Sequence, residues 1–408
     1  KEIDMKPIEP NVFDFDTLID RSSTISIKWS SSLRQKMYGD SNVIPMGIAD
    51  MDFKCAPSIV EAINKRAAHE TYGYGFSSEE YLDACVNWQK RRNHWKIESG
   101  WITYTPGINM AIVVAVEMFT EPGEKVIIQS PVYYPYYDYV TYKGRQIAFN
   151  PLLNKGGRYE MDFAELEKIA SQKDTRMLIL CSPHNPVGRC WEKDELKMVH
   201  EICERNNVKV VVDEIHSDLI LGESKFIPYA TISEKAADNC IICTSPSKSF
   251  NLAGLLVSDI IIPNEKIRKE FRYRMAPYYL WPGSFGSVAQ IAAYNEGETW
   301  LEALLTYLHG NALFLDKFLK ENLPKVKYRV PEATYLAWLD FRAYGFSTQQ
   351  LKTLIHQKGK VATDDGTMFG PNGEGDGFHR LNFACPKSLL EKALNQIAYA
   401  INSSDLKP

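Results

Sequence analysis

Cys240-Ile-Ile-Cys-Thr-Ser-Pro-Ser-Lys248-Ser-Phe-Asn-Leu-Ala-Gly254 is the stretch that decides how this chain folds. Its apolar opening, Cys240–Thr244, predicts a strand buried on both faces. A lysine flanked by serines follows at once, at the place where open α/β sheets present ligand groups. The serine hydroxyls suit a phosphate, although a surface lysine in a Ser-rich loop would read the same way. Cys240 and Cys243 look like a metal or redox pair. Residues three apart on a strand point to opposite faces, so a structural role is expected instead.

The same pattern continues on both sides. Strands are predicted at Trp101–Tyr104, Lys125–Gln129, Gln146–Asn150, Met177–Cys181, Val208–Asp213, Cys240–Thr244 and Asp259–Ile262. Helical stretches such as Met110–Phe119, Phe163–Ala170 and Trp191–Asn206 alternate with them, and polar turns such as Glu121-Pro-Gly-Glu124 divide the elements. This is an α/β layer fold with a mostly parallel sheet. After Pro282 the pattern changes. A helical tract spans Ser284–Asn322, interrupted near Asn295-Glu-Gly-Glu298. Strands at Tyr328–Val330, Tyr335–Asp340 and Arg380–Phe383 and a closing helix at Ser388–Asn402 predict a smaller α+β domain, with a Gly/Asp-rich loop at Asp364–Gly377. The domain expectation is an N-terminal arm with part of the small domain (1–45), a large domain (46–285) and a C-terminal small domain (286–408).

A chain of 408 residues suits two domains, and 45% hydrophobic with 24% charged residues excludes disorder as the default. A net charge of −4 with no Lys/Arg block implies neither nucleic acid nor an anionic membrane as partner. The longest apolar runs, such as Ile108–Phe119 with Glu117 inside, fall short of a membrane span. The charged Lys1–Asp16 stretch carries no apolar signal core. Eight cysteines scattered through a large chain favour reduced thiols and a cytoplasmic location.

Four further segments carry candidate chemistry. In Val210-Val-Val-Asp213-Glu-Ile-His216-Ser-Asp218 an aspartate ends a buried run, where its carboxylate needs a partner. A protonated pyridine nitrogen, a metal or a helix N-terminus would each serve. In Leu180-Cys-Ser-Pro-His-Asn185-Pro-Val-Gly188 a turn follows another strand, and Asn185 could donate to a cofactor oxygen and a substrate carboxylate. Thr105-Pro-Gly107-Ile-Asn-Met110 precedes a helix, where free N–H groups can take a phosphate. In His379-Arg380-Leu-Asn382-Phe-Ala an arginine within an apolar strand suits bidentate carboxylate binding or an internal ion pair.

Together these segments resemble the fold type I pyridoxal 5′-phosphate enzymes of the aminotransferase class I/II superfamily, and within it the cystathionine β-lyase and cystalysin-type C–S lyases. The resemblance runs from Asp20-Arg … Ser26-Ile-Lys-Trp29 through Ala49-Asp-Met-Asp-Phe53, Tyr72-Gly-Tyr74 and Ser130-Pro-Val-Tyr133-Tyr134-Pro. It continues to Ala333-Thr-Tyr-Leu-Ala-Trp-Leu-Asp340 and Phe378-His-Arg-Leu-Asn382. It implies that Lys248 holds the cofactor in an imine bond, that Asp213 pairs with the pyridine nitrogen, and that Asn185 and His216 contact the O3′ side. Tyr133 would stack on the ring. Gly107, Ile108, Asn109 and Ser245 would line the phosphate, with Ser247 assisting. Tyr74 would reach the phosphate in a neighbouring subunit, which implies a homodimer. Arg380 would bind the substrate α-carboxylate, with Asn185, Ala49 and Tyr134 also at the substrate.

Three positions depart from the family pattern. Asp365-Gly366 stands where Pro-Gly is common, Gly47-Ile48 replaces Trp-Val, and Leu256 replaces a residue that is basic in many aminotransferases. The implied reaction is α,β-elimination from cystathionine, cysteine or another S-substituted cysteine, giving a thiol, pyruvate and ammonia. His216, where ordinary aminotransferases usually have tyrosine, favours this over amino transfer, which would use the same residues. A regulatory protein that binds a transcription factor is the alternative of another class. A metal site at His184, His216 and Asp213 lacks any zinc-like spacing.

Overall fold

The computed structural model describes residues 13–404; the first twelve residues of the expected N-terminal arm lie outside them. Seven strands form the main sheet: β1 Ile102–Thr105, β2 Lys125–Ile128, β3 Gln146–Phe149, β4 Thr175–Cys181, β5 Lys209–Asp213, β6 Cys240–Thr244 and β7 Ser258–Ile261. Each lies within two residues of its predicted position. Their order is β1-β7-β6-β5-β4-β2-β3. Only β7 runs antiparallel to its neighbours; the pairings from β6 to β3 are all parallel.

Alternation along each strand splits the apolar residues between two cores. Leu178, Leu180, Val210, Val212, Cys240 and Ile242 belong to one, and Ile179, Val211, Ile241 and Cys243 to the other. Cys240 and Cys243 therefore point to opposite faces, as their spacing predicts. In chain order the covering helices are α1 Glu79–Arg92, α2 Ile108–Phe119, α3 Pro135–Thr141, α4 Phe163–Ala170, α5 Lys193–Arg205, α6 Glu265–Met275 and α7 Ser284–Glu296. Helices α2, α3 and α6 cover one face; α1, α4, α5 and α7 cover the other. A capping box fixes the start of α5, because Glu192 and Glu195 satisfy each other's backbone N–H groups.

The helical tract 284–322 breaks at Gly297, which separates α7 from α8 (Glu298–Asn322). A Cβ at Gly297 would stand 2.5 Å from the Ala293 carbonyl and 2.6 Å from Phe250. Only glycine lets the chain turn this close to its neighbours. Beyond α8, β8 (Leu336–Asp340), β9 (Asp364–Asp365) and β10 (Phe378–Asn382) form an antiparallel sheet of order β8-β10-β9, closed by α9 (Lys387–Asn402). The parallel pair Ile44–Pro45 and Val361–Ala362 joins an early segment to this region.

Two expectations need correction. Tyr328–Val330 is not a strand: Lys327 alone bridges Asp340, and past Pro331 the Glu332 N–H turns away to the Gly188 carbonyl. Asp364–Gly377 is not wholly loop, since Asp364 and Asp365 pair with Arg380 and His379 as an edge strand. Among the described residues no helix is long and apolar enough to cross a membrane.

Candidate active site

Parallel strands β4, β5 and β6 end side by side: Asn185 lies four residues past the end of β4, Asp213 is the last residue of β5, and Ser245 directly follows β6. Ser245 caps the short helix Pro246–Ser249 by accepting from the Ser247 N–H (3.0 Å), and that turn directs Lys248 inward. A cavity of about 170 Å³ opens there, walled by Gly107, Ile108, Asn109, Tyr133, Asn185, Asp213, His216, Ser247, Lys248 and Ala49, together with Leu256. It collects ten of the fourteen predicted site residues.

Asp213 is buried and makes no ion pair among the described residues. Its oxygens accept from the Tyr136 hydroxyl (2.5 Å) and the Ile215 N–H (3.0 Å). Burial raises its pKa to about 6 despite these two bonds. The site therefore suits a cationic partner that would restore the ordinary carboxylate range. Burial, reinforced by Lys248 and Arg380, lowers His216 to about 3 and keeps its ring neutral. The His216 Nδ1 is buried without a partner. Lys248 is lowered to about 8, first by burial and then by Arg380, so a usable fraction of its amine is neutral near physiological pH. Its Nζ donates to the Ala49 carbonyl at 2.6 Å.

Facing the lysine is the segment 47–53, which hydrogen bonds from many parts of the chain hold in place. Asn382 Nδ2 donates to the carbonyls of Ile48 (2.8 Å) and Asp50 (2.7 Å). Asn251 Nδ2 donates to Met51 (3.0 Å) and Phe53 (3.2 Å), and the Tyr335 hydroxyl to Ala49 (2.9 Å). Arg21 and Lys28 pair with Asp50 and Asp52, and Trp29 Nε1 reaches Asp52 at 2.7 Å. Arg380 stands behind this segment: Nη1 donates to Asn185 Oδ1 (3.0 Å), and Nη2 donates to the Gly47 carbonyl (3.2 Å) and to Asp364.

The aminotransferase class I and II family model matches residues 41–397. The chain belongs to that family. It is 42% identical to cystathionine β-lyase PatB of Bacillus subtilis (strain 168) over 95% of this chain and all of that one. With protein MalY of Escherichia coli (strain K12) it shares 32% over 96% of its own length and all of its relative's. The crystal structure of cystalysin from Treponema denticola, which contains a pyridoxal 5′-phosphate cofactor, superposes with a TM-score of 0.92. That pair is 36% identical, with 96% and 99% of the two chains covered.

Four predicted residues stand outside the cavity wall. Ser245 gives its one hydroxyl hydrogen to the Val257 carbonyl (2.6 Å), with the Ser247 hydroxyl 2.8 Å away, and Ser247 rather than Ser245 faces the cavity. Arg380 is buried but joins the site through Asn185. Tyr134 packs edge-on against Phe369, and Tyr74 is 96% exposed beside Trp281. Gly107 serves through its backbone shape, with φ at +94°, because its own N–H bonds to the Thr105 carbonyl at 2.8 Å. The N–H groups of Ile108 and Asn109, in the first turn of α2, have no partner within the helix and suit an anion.

Sequence reading missed Tyr136, Tyr335 and Asp364. Tyr136 lies three residues after Tyr133, just inside the start of α3, and the two rings meet edge-on 5.5 Å apart; this spacing was the only available signal. Tyr335 lies in the Ala333–Asp340 stretch that carries the resemblance but has no assigned role there, and nothing local marks Asp364. Tyr335 acts through a contact with Ala49, far away in sequence, and Asp364 through Arg380 on the neighbouring strand.

Proposed function

We propose that this chain is a pyridoxal 5′-phosphate-dependent C–S β-lyase. It cleaves cystathionine, cysteine or related S-substituted cysteines to a thiol, pyruvate and ammonia. The observation that carries this reading is the buried, partly neutral Lys248 amine in one cavity with the cation-seeking Asp213 and the α2 N-terminus. The kinship with a cystathionine β-lyase at 42% identity gives the reaction class.

The residues present fit the cofactor. The α2 N-terminus and Ser247 accommodate its phosphate, the face of Tyr133 its ring, Asp213 its ring nitrogen and Lys248 its carbonyl carbon. When bound, it supplies an electron sink for the pair left at Cα after deprotonation. Asp213, ionised beside a protonated nitrogen, keeps that sink charged. Neutral His216 and Asn185 flank the O3′ side. Arg380 and Asn185 hold the substrate α-carboxylate, which points the Cα–H bond at the Lys248 amine. With the substrate amine in its place on the cofactor, the free Lys248 amine would take the proton as general base. Thiolate then leaves from Cβ, and the remaining three-carbon fragment hydrolyses to pyruvate and ammonia.

The active form is a homodimer with Tyr74 at the partner's phosphate. Supporting this, Tyr74, Phe76, Tyr279 and Trp281 are all exposed on the single chain. The eight cysteines are unpaired, which supports a cytoplasmic location. The protein divides into a large domain at 46–285 and a small domain made of 286–408 with part of 1–45.

The test is an absorbance spectrum followed by L-cystathionine with coupled pyruvate detection. A band near about 420 nm and pyruvate without added keto acid are expected. A band with amino transfer to a keto acid and no pyruvate would instead make the protein an aminotransferase.

A further inference from the structure

Arg380 offers five N–H groups, and a carboxylate is gripped two at a time along one edge of the guanidinium. Only two edges are available, Nη1 with Nη2 and Nε with Nη2, because the third faces the residue's own side chain. Both require an Nη2 hydrogen. In this structure both Nη2 hydrogens are committed, one to the Gly47 carbonyl and one to the Asp364 carboxylate. Nε is buried without a partner, but alone it gives a single bond. A substrate carboxylate therefore obtains a two-bond grip only by taking the place of one acceptor. The Gly47 carbonyl belongs to the tied-down wall segment; Asp364 is a side chain on the edge strand β9.

Two further observations show that the contact is built. Asp364 is placed by strand register directly opposite Arg380. Gly47 makes the approach possible, since a Cβ there would collide with Asp364 Oδ1. Gly47 is one of the positions where the chain departs from its family's pattern, and Asp364 directly precedes another, Asp365-Gly366. The aromatic face of Phe369 lies 4.6 Å from the guanidinium and backs the pair.

We propose that Asp364 is a resident competitor for the substrate's α-carboxylate. Substrate binding exchanges one carboxylate for another on Arg380 Nη2, and Gly47 provides the room for the resident one. The device raises the substrate concentration needed for half-saturation without entering the chemistry. It rests on Arg380 as the α-carboxylate anchor.

The experiment compares wild type, D364A, D364N and R380A as holoenzymes. It measures KM and kcat for L-cystathionine and S-methyl-L-cysteine. Calorimetric affinity for 3-(methylthio)propionate, a carboxylate with no amino group to react, is measured alongside. D364A should lower KM for both substrates by about tenfold, the scale of one charge-assisted hydrogen bond. It should also tighten the probe, with the change carried by KM rather than kcat. D364N, which keeps an acceptor but no charge, should move the same way by less and serves if D364A does not fold. A purely structural role for Asp364 would cost thermal stability but would not tighten a carboxylate. Unchanged or higher KM in both variants, with R380A still losing saturation, overturns the competitor. A rise confined to L-cystathionine also overturns it, because Asp364 would then serve the distal ammonium. R380A with wild-type KM would instead overturn the anchor on which the proposal rests.

Discussion

Replacing Asp213 with asparagine should make the cofactor-free protein more stable while impairing the enzyme. The carboxylate is buried, has no cationic partner, and titrates at about 6 rather than 3.8. A raised carboxylate pKa means that the folded state holds the proton more tightly than the unfolded chain does. Its contribution is therefore fully favourable below about pH 3.8 and is lost as pH climbs through 6. By pH 8 the displacement amounts to about 3 kcal/mol, and at pH 4.5 to about 1 kcal/mol. Asparagine is nearly the same shape, can accept from the Ile215 N–H, and leaves the Tyr136 hydroxyl free to rotate and accept from its amide. Urea unfolding of cofactor-free wild type and D213N at both pH values should show the variant ahead, by about 3 kcal/mol at pH 8 and about 1 kcal/mol at pH 4.5. Adding cofactor should reverse the order, because only the wild type regains its counter-charge. A variant no more stable than wild type at pH 8 would refute the buried-charge reasoning.

Lys248→Ala should abolish the absorbance band and lower turnover at least about a thousandfold, with a far-ultraviolet circular dichroism spectrum like wild type. Tyr136→Phe removes a hydrogen bond that holds the Asp213 pKa down. The acid limb of the holoenzyme's kcat/KM profile should move to higher pH, with activity reduced about tenfold. Gly188→Ala should destabilise the protein by at least about 2 kcal/mol in urea unfolding. Its φ is +70°, and the new Cβ would collide with the Pro331 ring.

The main sheet was readable because its central strands β2, β4, β5 and β6 are short, largely apolar and buried on both faces, so hydrophobicity outlines them. Strand ends were readable for the opposite reason: Asp213 interrupts a run of valines, and Ser245 and Lys248 follow an apolar run at once. Reading faltered where structure depends on distant partners. Tyr328–Val330 has the composition of a strand but no neighbour to complete a ladder. Asp364–Asp365 has the composition of a loop but finds His379 and Arg380 across the sheet. Ser245 illustrates a subtler limit. Its position beside the site was evident, but only the fold reveals that the Val257 carbonyl already takes its hydroxyl hydrogen. Asp364 was hidden for a further reason, since its access to Arg380 depends on an absent side chain at Gly47.

The ties on segment 47–53 also set an order of assembly. Its anchors come from Arg21, Lys28 and Trp29 on one side, and from Asn251, Tyr335 and Asn382 on the other. Loops spanning hundreds of residues close slowly, and a growing chain cannot close them before their far ends exist. A nascent chain that has reached residue 300 already contains β1–β7, Lys248 and the α2 N-terminus. It still lacks the asparagine that clamps Ile48 and Asp50 and the tyrosine that shares the Ala49 carbonyl with the lysine. The catalytic wall is thus among the last parts to be secured, and competence arrives only when the chain is nearly complete.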